Sequence, residues 1–306
     1  MNKYNFDEYG DFEITPTEQT NTILPWVEKF RPQLLEDIVS NTSIVSSFKD
    51  YVKRKYLPHL LICGPSGTGK TSIINACATE LYGDYSGMMT LNIKASEERG
   101  IEIIRNKVKD FVMTKSIFDD CADFKLIILD EADAITLDAQ SALRKIIETS
   151  SHITRFCFTC NYIEKIIEPI ISRCVKFRFK PINKKSIIDR LKLISVNEKI
   201  KLTDECYTKI YENCEGDARR AIMILQNIKY VYKIKKNISI DDVNNILGST
   251  KNDILEDIWN NITKQTIKDV YKITQNIKNN CINLNDLLLF LNNKIITSNL
   301  KIGRAH

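Results

Sequence analysis

Eight residues constrain this chain more than any others. Gly64-Pro65-Ser66-Gly67-Thr68-Gly69-Lys70-Thr71 fits G-x-x-x-x-G-K-[ST], directly after the apolar run HLLIC (59–63) and ahead of a helical stretch over 70–81. A strand, a glycine-rich turn and a helix in that order aim backbone N–H groups and a helix N-terminus at an anion. The three glycines let the main chain close around phosphate oxygens, and Lys70 adds a point charge on the β- and γ-phosphates. The Thr71 hydroxyl suits Mg2+, a hard ion that takes oxygen ligands. A glycine-rich turn that binds nothing is the bland alternative, and the flanking strand and helix argue against it.

Between 25 and about 180, further short apolar runs recur: MMTLNI (88–93), KLIILD (125–130), TRFCFT (154–159) and VKFRF (175–179). Helix-length amphipathic segments separate them, which predicts a parallel five-stranded sheet with helices on both faces. After Pro181 the β-branched runs stop, and apolar residues at three- and four-residue spacing predict helices over 184–197, 204–213, 217–231 and 240–247. Gly248-Ser249-Thr250 punctuates the chain before a third helical block, 252–261, 264–279 and 284–299. The expected organisation is an acidic tail over 1–22, a phosphate-binding α/β domain over 23–180, a small helical domain over 181–248 and a second helical domain over 249–306. The tail carries Asp7, Glu8, Asp11, Glu13 and Glu18 against one lysine, without periodicity.

Composition removes several classes. At 306 residues the chain exceeds one ordinary core, while 43% hydrophobic residues without an 18-residue apolar run exclude a membrane-spanning or fully disordered chain. Nine scattered cysteines, an odd number behind no secretory signal, read as reduced and intracellular. The net charge of +5 permits nucleic-acid contact through local patches and does not argue for it. Cys157-x-x-Cys160 lacks a second pair at zinc spacing, and His59, His152 and His306 form no Ser/His/Asp arrangement.

Leu126-Ile127-Ile128-Leu129-Asp130-Glu131 ends an apolar strand in two carboxylates. Asp130 is thereby expected in the Mg2+ shell, and Glu131 beside the water that attacks phosphate. A solvated strand terminus is the alternative, weakened by the phosphate loop upstream.

Taken in order, P-W-V-E-K-F-R-P (25–32), the phosphate loop (64–71), A-S-E-E-R-G-I (95–101), L-I-I-L-D-E-A-D-A (126–134), C-N-Y-I-E-K-I-I-E-P-I-I-S-R-C (160–174) and G-D-A-R-R (216–220) resemble one family. It is the small subunits of replication factor C, sliding-clamp loaders among the AAA+ ATPases, and the likeness runs over 25–226. The resemblance implies an AAA+ α/β domain followed by a helical lid and a helical collar. It also implies ATP and Mg2+ as cofactors and a five-membered arc of large and small subunits with nucleotide between neighbours. The work would be loading of a ring-shaped clamp onto primer–template DNA, in the nucleus or at a cytoplasmic replication site, including a viral one.

Residue by residue, the resemblance makes Asn161 the sensor-1 amide, Arg173 an arginine finger for the ATP of an adjacent subunit, and Arg219 the sensor-2 cation. Val27, Arg31 and Ile38 fall where the family's N-terminal segment packs near base and phosphates, although Trp26 and Phe30 read equally well as core. Arg99, Arg105 and Lys109, in or just before the segment 100–113, would follow DNA phosphates, with Arg144 and Lys145 beside Gln140 as further candidates. For each cation alone, a solvated helix face is the competing reading. The segment 110–120, with Phe111, Ile117 and Phe118, is the expected clamp contact, and its aromatics read equally well as core.

Three departures stand out. Lys94 occupies a position where the family usually has Asn, Ser66 one where Pro is commoner, and the last block is expected to stop short of the helices that complete the family's collar, either because the chain is truncated or because its collar is reduced. Lys94 and the short collar motivate the alternative of a subunit that binds ATP but hydrolyses little. Another AAA+ remodeller is the remaining alternative.

Overall fold

The computed structural model describes residues 24–97, 101–114, 122–232, 238–248, 252–264, 274–275, 277–278 and 284–297. The acidic segment over 1–22, Arg99, Ile117 and Phe118 therefore lie outside the described residues.

Five strands form one sheet: β1 (Leu60–Cys63), β2 (Thr90–Lys94), β3 (Lys125–Asp130), β4 (Thr154–Cys160) and β5 (Val175–Arg178). Their order is β2-β3-β4-β1-β5 and every pairing is parallel. Parallel neighbours require crossovers, and helices supply them. α1 (Trp26–Lys29) and α2 (Thr42–Lys53) precede β1, and the connections between strands hold α3 (Lys70–Tyr82), α4 (Ser86–Met89), α5 (Ile101–Met113), α6 (Leu137–Ser150) and α7 (Glu168–Ile171).

The two-residue period of a strand divides the apolar runs between two cores. Leu126 and Ile128 of β3 and Cys157 of β4 pack with Phe48 of α2 and Ile73, Ile74 and Cys77 of α3. Ile127 and Leu129 point the other way, with Phe156 and Phe158, onto Leu143, Ile146 and Ile147 of α6 and Val108 of α5. With both faces covered, β1, β3 and β4 are almost wholly buried along their length, whereas the edge strands β2 and β5 are partly exposed. One expected boundary moves. Met88 and Met89 open the apolar run MMTLNI (88–93), yet they close the short helix α4, and Met89 is buried in the first core. A short apolar run alone does not distinguish a helical turn from a strand.

Beyond Pro181 follow α8 (Lys184–Asn197), α9 (Asp204–Cys214), α10 (Ala218–Val231) and α11 (Ile240–Leu247). Their starts are set locally. Asn183 accepts from Ser186 N, Asp217 accepts from Arg220 N, and Ser239 forms a reciprocal capping box with Asp242. Ile187, Leu191, Ile194, Ile210, Leu225, Ile228 and Val243 make a third core, which also takes in Trp26, with Val27 and Phe30 against it. The backbone N–H of Trp26 donates to Gln226 Oε1 at 3.1 Å, and Lys29 pairs with Glu198 at 2.7 Å. The N-terminal segment thus rests on the helices rather than on the sheet.

Farther on, α12 (Asn252–Lys264) and α13 (Leu284–Thr297) meet through Leu255, Ile258 and Leu287. Of the helix expected over 264–279, Lys264 belongs to α12, and 274–275 and 277–278 are helical.

Leu126, on the inner strand β3, has no exposed surface. Leu126→Ala is expected to lower the unfolding free energy by about 3 kcal/mol, through lost burial and the cavity left behind, as read from urea melts at constant m-value.

Candidate functional site

The carboxyl ends of β1, β3 and β4 lie side by side, and the phosphate loop leaves the first of them. Gly69 (φ 95°) caps α3, so the first helical residue is Lys70, whose side chain turns back into the loop. Its Nζ donates to the Gly64 and Pro65 carbonyls and to Asn161 Oδ1, each at 2.8 Å. Burial pulls the Lys70 ammonium below the ordinary lysine value, while the Asp130 carboxylate opposes that shift and Arg219 adds to it. Lys70 and Asn161 were expected in one site, and they are in direct contact.

One residue on, Thr71 Oγ1 donates to Asp130 Oδ1 at 3.0 Å. Two hard oxygen donors, from the helix and from the end of β3, therefore converge beside the loop, a donor set that fits Mg2+. Glu131 follows in the left-handed region (φ 55°, ψ 44°), a conformation costing a non-glycine residue about 1–2 kcal/mol. Its carbonyl accepts from Ala134 N at 2.9 Å and its N–H donates to Thr159 Oγ1 at 3.3 Å.

The helical part closes over this mouth. Ala218 N donates to the Gly67 carbonyl at 3.1 Å, and Ser66 Oγ donates to Asp217 Oδ2 at 3.1 Å. Approach this close needs a glycine: a Cβ on Gly67 (φ 64°) would lie 1.7 Å from Asp217 Oδ1. The cleft so formed is lined by Ser66 to Thr71, Asp130, Glu131, Asn161 and Arg219, and by Val27, Arg31 and Ile38. Gly64 and Pro65 contribute through the carbonyls that hold Lys70.

Other expected residues lie elsewhere. Arg173 does not line the cleft; its guanidinium donates to Glu148 Oε1 at 2.6 Å and to the Pro169 carbonyl at 2.7 Å. Arg144 donates to that same carboxylate oxygen at 3.0 Å, and its hydrogen bond, ahead of the charge of Arg173, draws Glu148 below the usual glutamate value. Arg105 is exposed and Lys109 half-buried on α5. Phe111 is half-buried against the second core, with Lys125 Nζ 4.8 Å above its ring. Lys94 Nζ pairs with Glu97 at 3.1 Å, both exposed, so its amino group faces neither Glu131 nor the loop in this structure.

Sequence reasoning gave no site role to five contributors. Phe30, Arg190 and Leu191 line the cleft, and Arg190 Nη2 donates to the Phe30 carbonyl at 2.7 Å, fastening the N-terminal segment to α8. Gln140 is buried, donating to the Ile135 and Lys165 carbonyls and accepting from Ile167 N at 2.8 Å. It ties α6 to the segment between Asn161 and α7. Thr159 lines the cleft as well. A lone arginine on a helix reads as solvated and a lone threonine in a strand as β-propensity, so neither carried a signal.

Comparison with known proteins adds three findings. The family profile described as ATPase family associated with various cellular activities (AAA) matches residues 60–182. A protein of Acanthamoeba polyphaga mimivirus named as a replication factor C small subunit is 43% identical over 286 residues, covering 90% of this chain and 83% of its own. Replication factor C subunit 5 of Homo sapiens is 43% identical, with coverage of 80% and 75%, and subunit 2 of Saccharomyces cerevisiae is 42% identical, with 83% and 76%. Among solved structures, the RuvB Holliday junction branch migration motor of Thermotoga maritima superposes with a TM-score of 0.57 at 15% identity, covering 83% of this chain and 86% of its own. At that identity it speaks for the fold alone.

The contact at Gly67 can be checked against Gly69, which also has positive φ but nothing within 4 Å of a built Cβ. Gly67→Ala is expected to destabilise the chain by about 1 kcal/mol more than Gly69→Ala, because Asp217 must abandon its cap on α10. Parallel thermal melts of the two variants measure the difference.

Proposed function

Because this chain belongs to the replication factor C small-subunit family of AAA ATPases, we propose that it performs its clamp-loader role in DNA replication through an ATPase site completed by a neighbouring subunit. The observation that carries this reading is the convergence of Lys70, Asn161, Thr71 and Asp130 on one mouth of the sheet, with Arg219 of the helical part lining the same cleft.

The chemistry follows from what each group offers. The Lys70 ammonium now leans on neutral oxygens; a phosphate oxygen is a stronger acceptor and displaces the Asn161 amide. Asn161 is then free to hold the attacking water or the γ-phosphate without adding charge. Glu131, at the end of β3, takes a proton from the water as its oxygen bonds to the γ-phosphorus in line, and the bond to the β-phosphate oxygen breaks to leave ADP. Thr71 and Asp130 would hold Mg2+, which supplies charge neutralisation on the phosphate oxygens when bound. Arg219 brings positive charge from α10 to the nucleotide, so phosphate occupancy biases the angle between helices and sheet.

Arg173 suits a role in trans. It lies outside its own cleft, on a surface where its fork donates to Glu148 and to the Pro169 carbonyl. The planar guanidinium stabilises charge on phosphate oxygens of the adjacent subunit's ATP. The expected partners are large and small clamp-loader subunits, the sliding clamp and primer–template DNA. Arg105 and Lys109, one helical turn apart on α5, are proposed to track DNA phosphates, with Arg99 before them; Arg144 joins them only by leaving Glu148. Among the described residues no helix is long and apolar enough to cross a membrane.

A subunit that hydrolyses little was motivated by Lys94. The pairing of that lysine with Glu97 supports the hydrolysing reading instead, since it leaves Glu131 unneutralised.

ATP turnover by the chain assembled with its partner subunits, clamp and primer–template DNA tests the reading. Arg173→Ala is expected to reduce the stimulated rate about tenfold or more while nucleotide binding to the mutated chain persists. An unchanged rate would make the chain a structural member of the assembly.

A further inference from the structure

Thr159 has no exposed surface, although it stands in β4 among Phe156, Cys157, Phe158 and Cys160, which are all apolar. A buried hydroxyl needs partners, and this one has two on the catalytic strand end. Its Oγ1 donates to Asp130 Oδ1 and accepts from Glu131 N–H at 3.3 Å. One side chain therefore holds the carboxylate of the first acidic residue and the backbone of the second.

The placement follows from the sheet. Leu129 of β3 pairs in register with Phe158 of β4, so Thr159 stands beside Asp130 where the two strands end. Glu131 begins in the left-handed region and is kept there by Thr159 and by the turn bond from Ala134 N to its carbonyl. Asp130 Oδ1 is shared by two hydroxyls, Thr71 from the phosphate loop side and Thr159 from the sheet side. Thr71 adjoins the phosphates and can be drawn to them, which leaves Thr159 as the fixed partner.

We infer that Thr159 is a positioning residue for the ATPase reaction: its hydroxyl sets the direction of the Asp130 carboxylate and, through the Glu131 N–H, the direction from which Glu131 meets water. This rests on the hydrolytic reading above. Valine has the same shape and branching, so it keeps the strand and the packing and removes only the hydrogen bonds. Serine keeps the hydroxyl.

The test compares wild type, Thr159→Val and Thr159→Ser in the assembled, DNA-stimulated complex. Beside turnover it follows hydrogen exchange at the Glu131 amide in the free chain. Thr159→Val is expected to lower kcat about tenfold, with KM for ATP within about twofold and the melting temperature little changed. It should also speed Glu131 amide exchange about tenfold or more, and Thr159→Ser should restore both readouts. Wild-type kcat and exchange in Thr159→Val would overturn the inference, as would a parallel fall of kcat, ATP affinity and melting temperature that serine does not rescue. If the wild-type complex itself proves inactive, the hydrolytic reading fails. The exchange comparison then decides the positioning alone: faster exchange in valine restored by serine upholds it, and equal rates overturn it.

Discussion

A buried ammonium organises this molecule. Lys70 sits at the mouth of the sheet with its charge largely out of water, and such a charge is tolerated only where oxygens surround it. Two of those oxygens are carbonyls of the phosphate loop, so the ammonium fixes the loop's curvature. The third is the amide of Asn161 at the end of β4, which ties the loop to the strand next to β1. The neighbouring Thr71–Asp130 contact joins this knot to the end of β3, where Glu131 follows.

The sheet supplies only half of the cleft. The other half comes from α8, α10 and the N-terminal segment, held together by the third apolar core and fastened to the phosphate loop at Gly67 and Ser66. Because Val27 and Arg31 ride with the helices and Ile38 with the first core on the sheet, a nucleotide in the cleft touches both bodies. Unequal contacts with the two bodies are the physical basis for the proposed bias on the angle between them. Ser66 gives this chain an added attachment, since proline at that position offers no hydroxyl to Asp217.

How far the sequence discloses this arrangement depends on range. The inner strands are legible because a parallel sheet covered on both faces needs apolar runs, and the four helices after Pro181 because their apolar residues keep helical spacing. The phosphate loop is legible because its glycines, lysine and threonine are contiguous. The contact of Lys70 with Asn161 is not, since it exists only once β4 is known to lie beside β1. The burial of Trp26 against α10 is hidden for the same reason, as the segment 25–32 carries no periodicity that chooses between sheet and helices. Thr159 shows the limit most clearly: in a strand of aromatic and cysteine residues a threonine looks like filler, and only the register with β3 turns it into a ligand of two acidic residues.

The account stands or falls on Lys70 as the anchor for phosphate. Calorimetric titration of ATP with Mg2+ into the wild-type chain and into Lys70→Met tests it most directly, because methionine keeps the length and apolar stem of the side chain and removes the charge. The account predicts clear binding by wild type and at least about a hundredfold weaker binding by the variant, near 2.7 kcal/mol or more. Equal affinities, with both proteins folded, would contradict it.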